Sequence, residues 1–504
     1  MTIAPLSERR NDFSLALWSA ALCFFLLLPC LWFPLGKDAS VFLLGGRILD
    51  SGGLLYRDLW DIKPPLIYLL AALPALLPSA WQIVGFYILA SLATAGTVFF
   101  CSQLVAPLAG KRVALVIAPI FAAITLYPAT TSLGQCESWA NLFGWAALWC
   151  WVNRTSKWHA IAGGLLLGMI PFLKVTSLLP LLPFLFLTQR SAKHGLWLGG
   201  GFIGAIVLGA GGMRFSGVWP FYEDIVHNFL AFYVSASDAP FLPRLLWFIQ
   251  NISIWAMAAG GFSLFCTAGV IDRTVWPTSW KRALLASLAL GLIAMWVQNR
   301  NVVYQWTVLL PTFALLSATG LVALGNVVKA WPVKFVAPAL AVALCLGSTR
   351  DLWLDFVFSP NIVAQDRTLK NRNFVNETWP AQRVIFDYLR TNSRPNDLLW
   401  VWGFEPALYL AGPRPVNRYV YTAPLAAPFT PKQWKTEAWD SLRKRQPRFV
   451  VIQSHFSMSD LGTPDRDVEQ LWRETPIFPW FTNHYELEKQ VGDYKIYRLK
   501  TQSQ

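Results

Sequence analysis

Eight charged side chains crowd the segment Gly36–Pro65, GKDASVFLLGGRILDSGGLLYRDLWDIKPP: Lys37, Asp38, Arg47, Asp50, Arg57, Asp58, Asp61 and Lys63. The stretches around it are nearly uncharged. Charge held at the rim of a membrane is costly, so such a cluster marks a functional site by default. Asp38 closely follows the first apolar run. A carboxylate at the mouth of a dry cavity can take a proton from an attacking hydroxyl. The simpler role for it is a solvated acid paired with Lys37 or Arg47. Lys63 lies in Asp61-Ile62-Lys63-Pro64-Pro65. The two prolines fix the backbone that follows and restrict Lys63 itself to an extended conformation. A rigidly presented ammonium suits a lipid phosphate, whereas the plainer alternative is a lysine snorkelling into head groups.

Further polar residues stand at the ends of apolar runs: Glu137, Lys174, Arg214, and Arg300 before Tyr304. Glu137 suits a second acid that holds a metal, orients an acceptor or pairs with a lysine; capping the following helix is the structural alternative. Lys174 and Arg300 are candidate phosphate contacts. The five histidines show no metal-ligand spacing, and the seven cysteines include no CxxC pair.

The elements that must position these groups are membrane spans. Of 504 residues, 55% are hydrophobic and 14% charged, against roughly 25% charged in an average globular domain. The net charge of +14 reads as basic residues stationed on the cytoplasmic face, not as a nucleic-acid footprint. Arg9 and Arg10 precede an apolar stretch without a small-residue cleavage site, which predicts an uncleaved first helix. Apolar spans are predicted at about 14–35, 84–105, 113–131, 138–152, 159–172, 175–188, 195–213, 244–268, 282–298, 303–324 and 335–349, using a length criterion of ~20 residues. With the N-terminus inside, Lys111, Arg112, Arg154, Lys157, Arg190, Lys193, Arg273, Lys281, Arg282, Lys329 and Lys334 fall in or beside cytoplasmic loops, against the acid Asp272. That bias sets the orientation and puts Gly36–Pro65, Glu137, Lys174 and Arg300 on the outer side. Pro64–Pro78 is short and proline-punctuated, and is expected to lie in the outer interface.

From about Asp351 charges become frequent. Short β-rich runs at Leu398–Trp402, Phe449–Gln453 and Tyr494–Leu499 alternate with helical patterns near Ala381–Thr391, Lys432–Arg445 and Asp465–Arg473. This order predicts a small C-terminal α/β domain outside the membrane. The expected organisation is therefore a transmembrane domain over 1–350, with an outer loop at 36–83, and an extracytoplasmic domain over 351–504.

An acid just after the first span, followed by G-x-L-Y-R-D-x-W-D-x-K-P-P from Gly53, resembles the GT-C membrane glycosyltransferases. Within them the chain is most similar to the glycosyltransferase family 39 group, which includes protein O-mannosyltransferases and lipid A aminoarabinose transferases. The likeness runs through Gln135-Cys136-Glu137 to Leu173-Lys174. It continues more weakly through Asn301-Val302-Val303-Tyr304 and Trp400–Pro406. The resemblance implies a polytopic α-helical, GT-C-like protein of about 11 transmembrane helices in a cell membrane, such as a bacterial inner membrane. Its implied activity moves a sugar from a polyprenyl-phosphate carrier to a glycolipid, glycan or protein acceptor on the outer face. It also implies Asp38 in acceptor activation, Lys63, beside Asp61, in carrier-phosphate binding, and Glu137 as a second active-site acid. Lys174, Arg300 and Tyr304 complete the expected substrate site. Tyr304-Gln305 stands where relatives often carry His-Tyr, and use of a divalent cation is left open. The alternative activity is a flippase or transporter for a lipid-linked sugar, which would need polar residues along the spans near the midplane.

Overall fold

The computed structural model describes residues 6–126, 133–153, 156–187, 191–235, 240–298, 303–327, 333–358, 379–394, 396–454 and 468–500. The chain forms two compact units. One comprises Met1–Phe33, Ile83–Gly211 and Pro240–Asn361; the other comprises Pro34–Gln82, Gly212–Ala239 and Ile362–Gln504.

The first unit is helical. It contains Leu6–Leu26, Gln82–Ala109, Lys111–Leu126, Cys136–Asn153, Ala192–Phe215, Thr278–Gln298, Leu310–Val327 and Val333–Ser348. Across the described residues, six helical stretches are long and apolar enough to cross a membrane. An all-apolar helix satisfies its own backbone, which is what lipid demands. Packing then relies on small residues and buried hydroxyls. Gly164 lies against the Leu198 carbonyl, and a Cβ on Gly168 would sit 2.6 Å from the Phe202 carbonyl. Only glycine lets the helices Lys157–Met169 and Ala192–Phe215 come so close. The Ser287 and Thr312 hydroxyls bond at 2.8 Å, and Ser317 donates to the Phe262 carbonyl at 3.0 Å.

Two details matter for the site. The apolar run Lys157–Leu185 turns at Lys174, whose backbone is extended at φ −167° and ψ 109°. Before the turn, Gly163 faces the Ala147 carbonyl and Cys150. After it, Leu181 covers Gly144, and the Trp151 indole donates to the Leu185 carbonyl at 3.1 Å. Both arms thus run along the Cys136–Asn153 helix, with Lys174 at the hairpin tip beside that helix's first turn. The sequence expectation of one span over 244–268 is corrected. It is two helices, Phe241–Ala258 and Gly261–Ile271, separated at Gly260 with φ +57°, a left-handed conformation that ends a helix and suits glycine.

The second unit is built on a five-stranded sheet of β1 (Leu398–Trp402), β2 (Arg414–Pro415), β3 (Phe449–Gln453), β4 (Tyr485–Val491) and β5 (Tyr494–Leu499). The spatial order is β2-β1-β3-β5-β4; β1 is parallel to β2 and β3, and β5 is antiparallel to β3 and β4. β3 is buried throughout and β1 from Leu399 on, which is why these two read as unbroken apolar runs. Trp400 and Trp402 pack with Trp439 and Trp472 at centroid distances of 5.0–6.2 Å. Helices Trp379–Asn392, Lys432–Arg445 and Val468–Arg473 coincide with the helical patterns read near 381–391, 432–445 and 465–473, of which 465–467 lie outside the described residues.

The same unit contains the opening loop. Helix Lys37–Asp50 packs on Leu66–Ala75 so closely that a Cβ on Gly46 would lie 2.5 Å from the Ala71 carbonyl. The C-terminal segment ties this loop down. Arg47 donates to the Leu410 carbonyl, Trp60 N–H to the Arg418 carbonyl at 2.8 Å, and Arg418 to the Tyr56 carbonyl at 3.3 Å.

Candidate functional site

The expected site residues among those described fall into two clusters, one in each unit, described in turn.

In the sheet-containing unit, Gly36 caps helix Lys37–Asp50 and Asp38 sits in its first turn. A carboxylate there is favoured by the helix's exposed N–H groups. Lys63 Nζ lies 3.9 Å from Asp38 Oδ2, with both side chains about four-fifths buried. The backbone carrying Lys63 is held by Tyr56, whose hydroxyl donates to the Lys63 carbonyl at 2.7 Å. Tyr56 has φ +66°, a strained conformation for a non-glycine residue that persists only when its surroundings enforce it. Here the enforcement is burial plus contacts with Tyr68 and Tyr222 at centroid distances of 6.2 and 4.9 Å.

Asp61 is 4% exposed. It accepts from Tyr68 at 2.5 Å, from Tyr421 at 3.0 Å and from the Ile62 N–H at 2.7 Å. Burial raises its carboxyl above the ordinary range, while Lys63 and the tyrosine bond pull it down. On the other side of Asp38, Lys37 pairs with the buried Glu405 at 3.8 Å and lies over the Phe404 ring. Glu405 also accepts from Tyr494 at 2.6 Å and from Gln382. Burial pushes the Glu405 carboxyl up, opposed by Lys37. The result is an alternating row, Glu405–Lys37 then Asp38–Lys63, with Asp61 beside it. Such a row holds two ammonium groups where a phosphate can compete for them.

In the helical unit, Glu137 opens the Cys136–Asn153 helix and is 1% exposed. Its Oε1 accepts from Lys174 Nζ at 2.5 Å, and Lys174 lies 5.7 Å from the Tyr304 ring centroid. Glu137, Lys174 and Tyr304, separated by up to 167 positions in the chain, therefore meet at one place. The lysine is engaged by a carboxylate, the pairing foreseen as one of the options for Glu137. Arg300 lies outside the described residues.

Among the described residues no three His, Cys, Asp or Glu side chains gather as metal ligands. Glu137, the acid considered for that purpose, has an ammonium on it instead, so these residues do not fit a resident divalent cation. Sequence reasoning missed Tyr421 and Glu405. A tyrosine far along the chain carries no local signal of its partner, whereas Glu405 did stand within the Trp400–Pro406 segment.

No family model matches the chain, and no curated protein sequence matches it. Among solved structures, it is similar to ArnT from Cupriavidus metallidurans bound to undecaprenyl phosphate, with a TM-score of 0.55, 14% identity and 98% of each chain covered. It also aligns with the Archaeoglobus fulgidus oligosaccharyltransferase in complex with zinc and sulfate, at a TM-score of 0.46 and 13% identity, over 94% of this chain and 71% of that one. At that identity the first of these likenesses establishes the fold. The chain is a multi-pass helical membrane protein with the GT-C-like fold that its opening loop led us to expect, carrying a small C-terminal α/β domain.

Proposed function

We propose that the protein transfers a sugar from a polyprenyl-phosphate carrier to a hydroxyl acceptor on a glycolipid, glycan or protein, at the outer face of a cell membrane. The observation that carries this reading is the Asp38–Lys63 pair, a carboxylate and a rigidly presented ammonium 3.9 Å apart on a buried loop. Likeness to a protein bound to undecaprenyl phosphate supports it. In the reaction, Asp38 takes the proton of the acceptor hydroxyl as its oxygen bonds to the anomeric carbon. The bond from that carbon to the phosphate oxygen breaks, and its electron pair leaves with the carrier phosphate. Lys63 stabilises the charge developing there, as a preorganised cation does in a site shielded from water. Asp61, fixed by two tyrosines, holds the loop and the Lys63 ammonium in register. Glu137, Lys174 and Tyr304 bind the substrate, and the C-terminal domain lies outside the membrane and selects the acceptor.

The test uses purified full-length protein in lipid vesicles with decaprenyl-phosphate-linked hexose and extracted cell-envelope acceptors. A transferase releases decaprenyl phosphate and labels an acceptor. Intact carrier crossing the bilayer without cleavage would instead establish transport and end this reading.

A further inference from the structure

Two successive residues of the C-terminal segment address one lysine of the opening loop. The Phe404 ring lies 5.5 Å from Lys37 Nζ, and a Glu405 carboxylate oxygen lies 3.8 Å from the same atom. The backbone that presents them is pinned. Gly403 N–H donates to the Thr422 hydroxyl, Thr422 N–H donates to the Gly403 carbonyl at 2.8 Å, and Phe404 N–H donates to the Gln453 side chain at 3.2 Å. Glu405 is 2% exposed, and a carboxylate that far from water is expensive to keep ionised. Its two neutral donors, Tyr494 and Gln382, would serve an amide oxygen as well. The negative charge at this position therefore answers to Lys37, and at 3.8 Å the link is one of charge more than of a directed bond.

Lys37 in turn stands one residue before Asp38 in the first turn of helix Lys37–Asp50. Consecutive residues on a helix do not face each other, so the two side chains diverge and Asp38 turns to Lys63 at 3.9 Å. Charge still acts across the gap. At an effective dielectric of about 20 and a separation of roughly 7 Å, an uncompensated ammonium displaces a carboxylate's titration by about one to two pH units. Lys63 has the charge of Asp61 acting on it, and Lys37 has Glu405. Each ammonium next to Asp38 thus has a second carboxylate of its own.

Resting on the function proposed above, in which Asp38 is the base, we infer that Glu405 is a positioning residue for the reaction: it holds and neutralises the Lys37 ammonium, so that Asp38 answers to Lys63 and the substrate and not to Lys37. A base with an extra uncompensated cation beside it is a weaker base and takes the acceptor's proton more slowly. The other titratable groups acting on this arrangement are Asp61, Lys63 and Tyr421 around Asp38, and Tyr494 on Glu405. Glu405→Gln leaves all of them in place.

Full-length, detergent-purified protein gives two readouts. One is the titration midpoint of Asp38, taken from infrared carboxyl spectra by subtracting the spectrum of Asp38→Asn in the same background. The other is the acid limb of kcat/KM against pH for transfer from decaprenyl-phosphate-linked hexose. Glu405→Gln is expected to move both to lower pH by about one unit and to lower the plateau rate. The double variant Lys37→Met/Glu405→Gln, which removes both charges together, should return both to the wild-type position. Tyr494→Phe takes a hydrogen bond from the ionised Glu405 carboxylate. It should move both readouts the same way by a smaller step, and it decides the matter if Glu405→Gln does not fold. A merely structural Glu405 would lower the rate and leave the Asp38 midpoint unmoved in the single variants. That result overturns the inference with transfer itself intact, as does a double variant displaced as far as Glu405→Gln. A midpoint that shifts as expected in a protein that transfers no sugar sinks the transfer reaction and leaves the hold of Glu405 on the Lys37 charge standing.

Discussion

Asp38 and Lys63 are within Coulombic reach, yet only about 20% of each side chain is exposed, so each keeps some contact with water. A partly solvated pair of this kind contributes about 0–1 kcal/mol to stability. Their substitution should therefore be visible in activity far more than in folding. Asp38→Asn is expected to lower the transfer rate by about 10²–10⁴-fold, the usual worth of a positioned general base, with the unfolding temperature nearly unchanged. Lys63→Ala should lose activity comparably, and Lys63→Arg should restore part of it, because guanidinium keeps the charge but presents it as a fork. Rates from both single variants and the double variant check this. If Asp38→Asn keeps the wild-type rate on a hydroxyl acceptor, Asp38 is not the base. Both residues stand out in the sequence, because a diproline and the end of an apolar run are local signals. Tyr421 on Asp61 and Glu405 on Lys37 do not, because a pairing across about 360 residues leaves no trace in local spacing.

Elements were read best where burial is uniform. β1, β3 and β5 occupy the residues that the apolar β-branched and aromatic runs marked. β4, Tyr-Glu-Leu-Glu-Lys-Gln-Val, was missed because it is a largely exposed edge strand with polar residues on both faces; two-residue β2 is too short to leave a pattern. The helix over 244–268 was read as continuous because apolar composition does not register a single glycine turning left-handed. Charge holds the sheet's far side together. Glu469 in helix Val468–Arg473 accepts from Lys495 of β5 at 2.7 Å, from Arg473 at 2.8 Å and from Ser454 at 3.0 Å. Burial alone would raise its carboxyl, but these bonds outweigh it and bring it down to about 2. With the folded value below the unfolded one of about 4.3, the group's stabilisation is complete above pH ~5 and is lost as pH falls towards 2. Glu469→Gln should thus reduce hydrogen-exchange protection of β5 at pH 7 by about 1.5 kcal/mol, the typical value of bonds to a charged group. At pH 3 the difference should shrink. An equal difference at both pH values would show that Glu469 acts by packing instead of charge.

For the molecule as a whole, orientation in the membrane rests on the bias of Lys and Arg between loops, and that bias is testable at one position expected outside and one expected inside. Glu137 and Lys174 lie at one end of the Cys136–Asn153 helix. The other end carries Trp151 with Leu185, and the exposed Ser156 and Lys157 follow it. A helix of 18 residues spans about 27 Å at 1.5 Å per residue, close to the ~30 Å of a bilayer core, so its two ends report opposite faces. The native cysteines are all buried, which keeps background labelling low. Cysteine introduced at half-exposed Arg57, in the opening loop, should react with an impermeant maleimide added to intact cells. Cysteine at Lys157 should react only after permeabilisation. Snorkelling accounts for the second position: Lys157 lies 5.1 Å over the Trp158 ring and 5.8 Å from that of Trp197, a cation and two indoles arranged as at a membrane–water boundary. Labelling of Lys157→Cys in intact cells, with Arg57→Cys silent, would invert the protein. Asp38 and Lys63 would then face the cytoplasm, and an outward-facing transfer reaction could not be theirs.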